Sequence, residues 1–285
     1  MKLTKTKKAE VIQSLMNHQQ IRRNIIKQVN RQKSACAAFV ARQTGYNSWQ
    51  DEKERRKNLD RAKAILKIME SNILPEKKEE QIDTILGVES TTTAEQILEM
   101  TEGFTLVSRN SLEPYIELRE VTEKHMIDDV QKLPICEWWC KEKGRSFLGL
   151  AILVGEIGDL SNYENPAKVW KRMGLAVMDG IRQGGLSKGS PAEDWIKHGY
   201  NKRRRSALWT ISDSLLKTNG KDGQYKKLYD ERKVMEHKRL KKQWIKEGNK
   251  ENKYKPMHAH RRAQRFMEKR LLRDLWNAWN NKKIA

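Results

Sequence analysis

Two stretches of the chain set basic side chains where a folded backbone can hold an anion. "NKRRRSALW" places Lys202, Arg203, Arg204 and Arg205 at the start of a predicted helix. There the unpaired N–H groups and the helix dipole add to the side-chain charge, the arrangement of a phosphate clamp. In the last predicted helix Arg261, Arg265, Lys269 and Arg273 recur every four residues, about 200° round the axis from Ala259, Ala263, Met267, Leu271, Leu275 and Trp279. One face packs and the other is cationic. Such a stripe is either a solvated face or a phosphate track, and the scarcity of Asp and Glu on it admits the second. Trp195 and Trp209 flank the first cluster and are either core residues or platforms for bases.

A second kind of anion site depends on backbone rather than side chains. "EKGRSFLGLAILVGEIG" looks like the hairpin of a helix-hairpin-helix, with Gly144 at the turn, Arg145 beside it and an apolar helix following. The same spacing also occurs in ordinary helical cores. Gly184, Gly185, Gly189 and Pro191 punctuate a loop after Arg182 whose tip could approach a phosphate closely. Cys136 and Cys140 form C-x3-C, and His258 and His260 form H-x-H, but no second Cys pair completes a zinc site. No metal and no cofactor is expected.

The global balance agrees with an anionic partner. Lys and Arg number 58 against 37 Asp and Glu, a formal net charge of +21, and nucleic acid is the leading partner class for such a chain. Cys36, Cys136 and Cys140 are too few and odd in number for a disulfide framework, and no apolar h-region follows Met1. A reducing cytoplasm is therefore the expected compartment. The longest apolar run, "FLGLAILVG", falls far short of the roughly 18 residues a membrane span needs.

The elements that must position these residues read as helices almost throughout. Val11, Leu15, Ile21, Ile25, Ile26 and Val29 mark a first helix. In "SWQDEKERRKNLDRAKAILKIMESN", Ser48 is a candidate cap, Asp51 and Glu52 suit the first turn, and Ala62, Ile65, Leu66 and Met69 make an apolar face. "TTTAEQILEMTEG" reads as a short helix ending at Gly103, and the next runs from about Glu113 to Leu133 with Pro114 in its first turn. Asn165, Pro166 and Gly174 supply cap, first residue and C-terminal stop of another. The weakest order is expected at "IKEGNKENKYK", which lacks an apolar face. The expected fold is all-α and multi-helix, a helix-hairpin-helix-containing C-terminal domain preceded by a helical N-terminal region.

The span "LGLAILVGEIGDLSNYENPAKVWKRMGL", then a Gly-rich loop, "HGYNKRRRSALW" and a late "RRAQRFMEKRLLRDLW", resembles the C-terminal domain of insertion-sequence transposases of the IS-one-ten/IS-one-sixteen type over roughly residues 110 to 280. The resemblance implies a helical DNA-binding domain at 111–285, ending in a basic helix, after a helical region at 1–110. It implies DNA as partner, alone or with RNA, a homodimer through the segment before the hairpin, and a bacterial or phage-encoded, nucleoid-associated protein; the short apolar runs imply no membrane partner. In the family the loop carries a nucleophilic serine within Gln-Ser-Gly. The matching residues are Gln183, Gly184 and Gly185, so Ser187 or Ser190 would have to replace it, with Arg182 and Arg203 to Arg205 as charge stabilisers. The RNase-H-like first half of the family is absent, since residues 1 to 110 show helical periodicity and no strand followed by Asp. Two DNA-binding readings stay open, a transposase or recombinase gripping DNA by its phosphates and a non-catalytic DNA-binding accessory protein of a phage or mobile element, beside a third class, a structural protein whose basic charge coats RNA or a protein scaffold.

Overall fold

The computed structural model describes residues 4–87, 93–248 and 254–281. Among these the fold is all-α, with one two-residue hairpin. The elements are α1 (Lys5–Gln43), α2 (Glu52–Met69), α3 (Pro75–Leu86), α4 (Ala94–Gln131), α5 (Ile135–Cys140), α6 (Phe147–Ile157) and α7 (Pro166–Arg172). After them come the strands β1 (Val177–Met178) and β2 (Ile181–Arg182), then α8 (Ala192–His198), α9 (Lys202–Thr218), α10 (Gln224–Lys246) and α11 (Met257–Trp279). Of "IKEGNKENKYK", residues 249–253 lie outside the described part. No helix among the described residues is long and apolar enough to cross a membrane.

The chain groups into two compact units, Ile21–Thr122 and the combination of Met1–Gln20 with Glu123–Ala285. The sequence-based division at residues 110 and 111 differs in two places: the first turns of α1 group with the later part of the chain, and α4 runs past that point.

In the unit Ile21–Thr122, Val40 and Ala41 of α1, Ala62 and Ile65 of α2, Ile82 and Leu86 of α3, and Ala94 and Ile97 of α4 form one buried cluster. The α2 start is set by Asp51 rather than Ser48: the Asp51 carboxylate accepts the Glu54 N–H at 2.8 Å, which places it at the N-cap instead of in the first turn. The expected break at Gly103 and restart at Pro114 do not occur, and both lie inside α4. Ile97, Thr101, Ser108, Leu112 and Thr122 are its buried positions there, all at helical spacings across both breakers. A glycine costs about 1 kcal/mol against alanine in a helix. Burial of that face outweighs the local preference.

In the other unit α6 is apolar except for Glu156 and buried over most of its length, the composition of a central helix. Ala263, Met267, Leu271 and Leu275 of α11, Trp139 of α5, and Ile12 and Leu15 at the start of α1 share its cluster. Gly155 permits that approach, since a Cβ there would stand 2.6 Å from the Gln19 Cβ and 2.9 Å from the Leu15 carbonyl oxygen. α7 begins and ends as its residues dictate: Asn165 Oδ1 accepts the N–H groups of Ala167 and Lys168, Pro166 is the first residue, and Gly174 takes φ +77°.

A candidate nucleic-acid interface

A cleft of about 770 Å³ opens between Gly174–Val177, the hairpin and helices α9, α10 and α11. Eight cationic side chains and one carboxylate line it. α11 contributes Arg261, Arg262, Arg265 and Lys269, and α10 contributes Arg232 and Arg239. Arg182 comes from β2 and Arg205 from the first turn of α9. Trp209, Phe266 and His258 add flat rings to the walls.

Two buried carboxylates organise part of this charge. Glu236 on α10 is 2% exposed and accepts Arg232 Nη2 at 2.5 Å and Arg239 Nη2 at 2.8 Å, with Arg262 Nη1 at 3.5 Å. Beneath α9, Glu268 accepts Arg205 Nη1 at 2.9 Å and the Ser212 hydroxyl at 2.9 Å, and Gln264 Nε2 donates to the Ser212 hydroxyl at 3.0 Å. Burial pushes the Glu268 carboxyl up, and Arg205 pulls against it.

The remaining four cations differ. Among the described residues Arg182, Arg261, Arg265 and Lys269 have no carboxylate at ion-pair distance. The Arg265 guanidinium is held below its ordinary value by burial and by Arg205 and Arg182, and Lys269 by burial and by Arg265. Like charges crowd at one place, with Glu268 acting on Arg265 only from beyond ion-pair distance, and a bound anion relieves that repulsion.

Glu236 gives the cleft an acid limit. Burial raises its carboxyl, but the Arg239 and Arg232 hydrogen bonds outweigh it and the group ends below its ordinary 4.5. A carboxyl with a depressed folded pKa contributes stability that is present above the unfolded value and lost as pH falls through the folded one. The urea midpoint is therefore expected to drop as pH is lowered from about 6 to about 3, and to drop less in Glu236→Gln. Equal pH dependence in the two chains would mean that Glu236 is not held by the arginines in solution.

Other residues expected to bind DNA lie outside the cleft lining. Gly144 has φ +87° and sits against the end of α9, where a Cβ would lie 2.5 Å from Thr218 Oγ1. Arg145 donates to the Tyr225 hydroxyl at 3.1 Å and lies over the rings of Trp138 at 4.3 Å and Tyr225 at 4.9 Å. Burial holds its guanidinium below its ordinary value. The turn is fixed to α9 by Asn219 Nδ2, which donates to Glu142 Oε1 and the Lys143 carbonyl. Arg204 faces Glu156 at 3.6 Å, and Arg273 Nη2 pairs with Asp274 at 2.9 Å. Lys202 and Arg203 are exposed in the first turn of α9, outside the cleft lining.

Ser187 and Ser190 are placed in the exposed loop before α8, their hydroxyl oxygens 3.1 Å apart, outside the cleft lining. No His, Asp or Glu hydrogen-bonds either hydroxyl among the described residues. Gln183 is buried and structural, accepting the Ala176 N–H and donating to the carbonyls of Lys171 and His198. Gly184 has φ +73°, and a Cβ there would lie 2.7 Å from the Tyr200 ring, so a serine at this position would collide. Cys136 is buried and Cys140 exposed, while His260 shares a 2.6 Å hydrogen bond with the Tyr229 hydroxyl. Among the described residues no group of three or more His, Cys, Asp or Glu is placed to hold a metal ion.

The sequence reading did not single out Arg232, Arg239 and Arg262. Their signal is the i, i+4, i+7 spacing of Arg232, Glu236 and Arg239, which puts all three on one face of α10. No protein-family model, curated protein or solved structure matches the chain.

Proposed function

We propose that the protein binds DNA through its backbone phosphates, along the cleft between α9, α10 and α11, as a DNA-gripping component of a transposition or recombination system. The observation that carries this reading is the set of four cations, Arg182, Arg261, Arg265 and Lys269, that line the cleft with no carboxylate at ion-pair distance among the described residues. Phosphate oxygens are the ligands that satisfy guanidinium and ammonium groups arranged in this way. The net charge of +21 brings such a polymer to the surface, and the cleft gives it a place.

Of the two DNA-binding readings left open by the sequence, the non-catalytic one is favoured by the serine loop. A nucleophilic hydroxyl needs a neighbouring base and cations aimed at the reacting phosphate. Ser187 and Ser190 have each other as partners and lie outside the basic cleft.

The test is fluorescence anisotropy with labelled DNA across a salt series, paired with a cleavage assay on the same substrates. The expected result is binding whose log K falls linearly with log salt, identical in wild type and in the Ser187→Ala, Ser190→Ala double variant, with intact DNA throughout. Cleavage by the wild type that disappears in the double variant would replace this reading with a recombinase. Absence of salt-dependent binding would end both.

A further inference from the structure

The cleft that carries the DNA-binding reading contains features a duplex backbone has no use for. Trp209 stands one helical turn after Arg205, so both project from the same face of α9 into the cleft. Its side chain is 45% exposed. Among the described residues no ring, cation or hydrogen-bond partner engages its indole, in contrast to Trp138, Trp139, Trp170 and Trp279, each of which holds a cation over its face. Phe266, the other six-membered ring in the walls, is already taken, with the Arg232 guanidinium 4.9 Å and the Arg270 guanidinium 5.2 Å from its centroid. Trp209 is thus an exposed, unengaged aromatic face set among guanidinium groups.

Size points the same way. At about 770 Å³ the cleft lies within the roughly 300–1,000 Å³ of sites that enclose small ligands. A duplex, whose major groove alone is about 12 Å wide, must lie across such a mouth and would keep its bases stacked inside, away from Trp209. An unpaired strand presents both chemistries at once: phosphates for the cations and a base face for the indole. Cationic walls combined with a stacking platform are how single strands are held without reading their sequence.

We propose, on the footing of the DNA-binding reading above, that the cleft takes an unpaired segment of DNA, with one base stacked on Trp209 and the adjoining phosphates on Arg265 and Lys269. The protein would then recognise the opened or frayed strand of a DNA intermediate, and duplex would be held only at the rim. Stacking adds affinity without adding phosphate contacts, so it leaves the salt slope untouched.

The experiment compares a labelled oligothymidine with a blunt duplex of equal length, by anisotropy, for wild type, Trp209→Ala and Trp209→Phe, each first checked by circular dichroism for native helix content. Expected are tighter binding of the single strand by wild type, a loss of roughly tenfold or more in Trp209→Ala, and substantial recovery in Trp209→Phe. Duplex affinity and both salt slopes should be the same in all three chains. Equal wild-type affinity for the two DNAs, or single-strand binding indifferent to Trp209→Ala, overturns this inference while leaving DNA binding intact. Failure of wild type to bind either DNA overturns the reading beneath it as well.

Discussion

Replacing Arg205 by alanine is expected to lower the unfolding free energy by about 3–5 kcal/mol, the cost of leaving a buried charge without its partner. Domains of this kind have only about 5–15 kcal/mol in total, so the variant would sit near the limit of folding. The expectation follows from geometry. Glu268 is fully buried, and Arg205 hydrogen-bonds one of its oxygens, Nη1 to Oε1 at 2.9 Å, with Nη2 at ion-pair distance, 2.8 Å, from Oε2. Without the guanidinium, Ser212 remains as the carboxyl's hydrogen-bond donor. Burial already pushes this carboxyl up, and loss of Arg205 would push it further. A carboxyl raised above its unfolded value contributes stability below that value and loses it as pH rises through the folded pKa. The deficit of Arg205→Ala should therefore shrink on acidification, opposite in sign to the behaviour expected for Glu236. Arg205→Met combined with Glu268→Leu, which removes both charges and keeps most of the volume, should recover nearly all the loss. Urea titrations of the three chains at two pH values decide the matter, and a loss below about 1 kcal/mol in Arg205→Ala would mean that water reaches Glu268.

That pair also shows where sequence reasoning stops. The stripe of Ala259, Ala263, Met267, Leu271, Leu275 and Trp279 was legible because burial imposes a period on residue type: the first five are buried and Trp279 is partly so. The cationic stripe on the same helix was legible only in part. A spacing of four advances about 40° per step beyond a full turn, so Arg273 has drifted about 120° from Arg261 and pairs with Asp274 outside the cleft lining. Arg205 resembled its neighbours Lys202, Arg203 and Arg204 in the sequence, yet it is the one whose counter-ion comes from a residue 63 positions later. Arg145 was similarly ambiguous, since nothing local says that Trp138 and Tyr225 will enclose it. Charge type is written in the sequence, but the identity of each partner is a tertiary fact. The β1–β2 hairpin is the opposite case: Asp179 and Gly180, at φ 50° and 76°, form the Asp-Gly turn such a hairpin calls for, and the signal was present in "VMDGIR".

Those tertiary partners define the variant that separates binding from folding. Changing Arg182, Arg261, Arg265 and Lys269 together to glutamine removes only charges with no carboxylate at ion-pair distance among the described residues, while Glu268 keeps its bonded partner Arg205. Arg205, Arg232, Arg239 and Arg262 stay with Glu268 and Glu236. Because Arg265 is depressed by burial and by Arg205 and Arg182, and Lys269 by burial and by Arg265, the change relieves repulsion. Thermal stability should hold or rise. DNA affinity at moderate salt should fall on the order of a hundredfold or more, and the slope of log K against log salt should become shallower by roughly three to four. Lost net charge alone would weaken binding too, so the control carries the same four-unit change on exposed lysines of the other unit, Lys27, Lys33, Lys53 and Lys67. That chain should keep most of the affinity and nearly the whole slope, because the slope counts the phosphates neutralised by direct contact. If the two variants lose affinity equally, the protein attracts DNA by its overall field and the cleft is not its seat. If the cleft variant alone loses slope, the phosphates are bound where the unpaired cations converge.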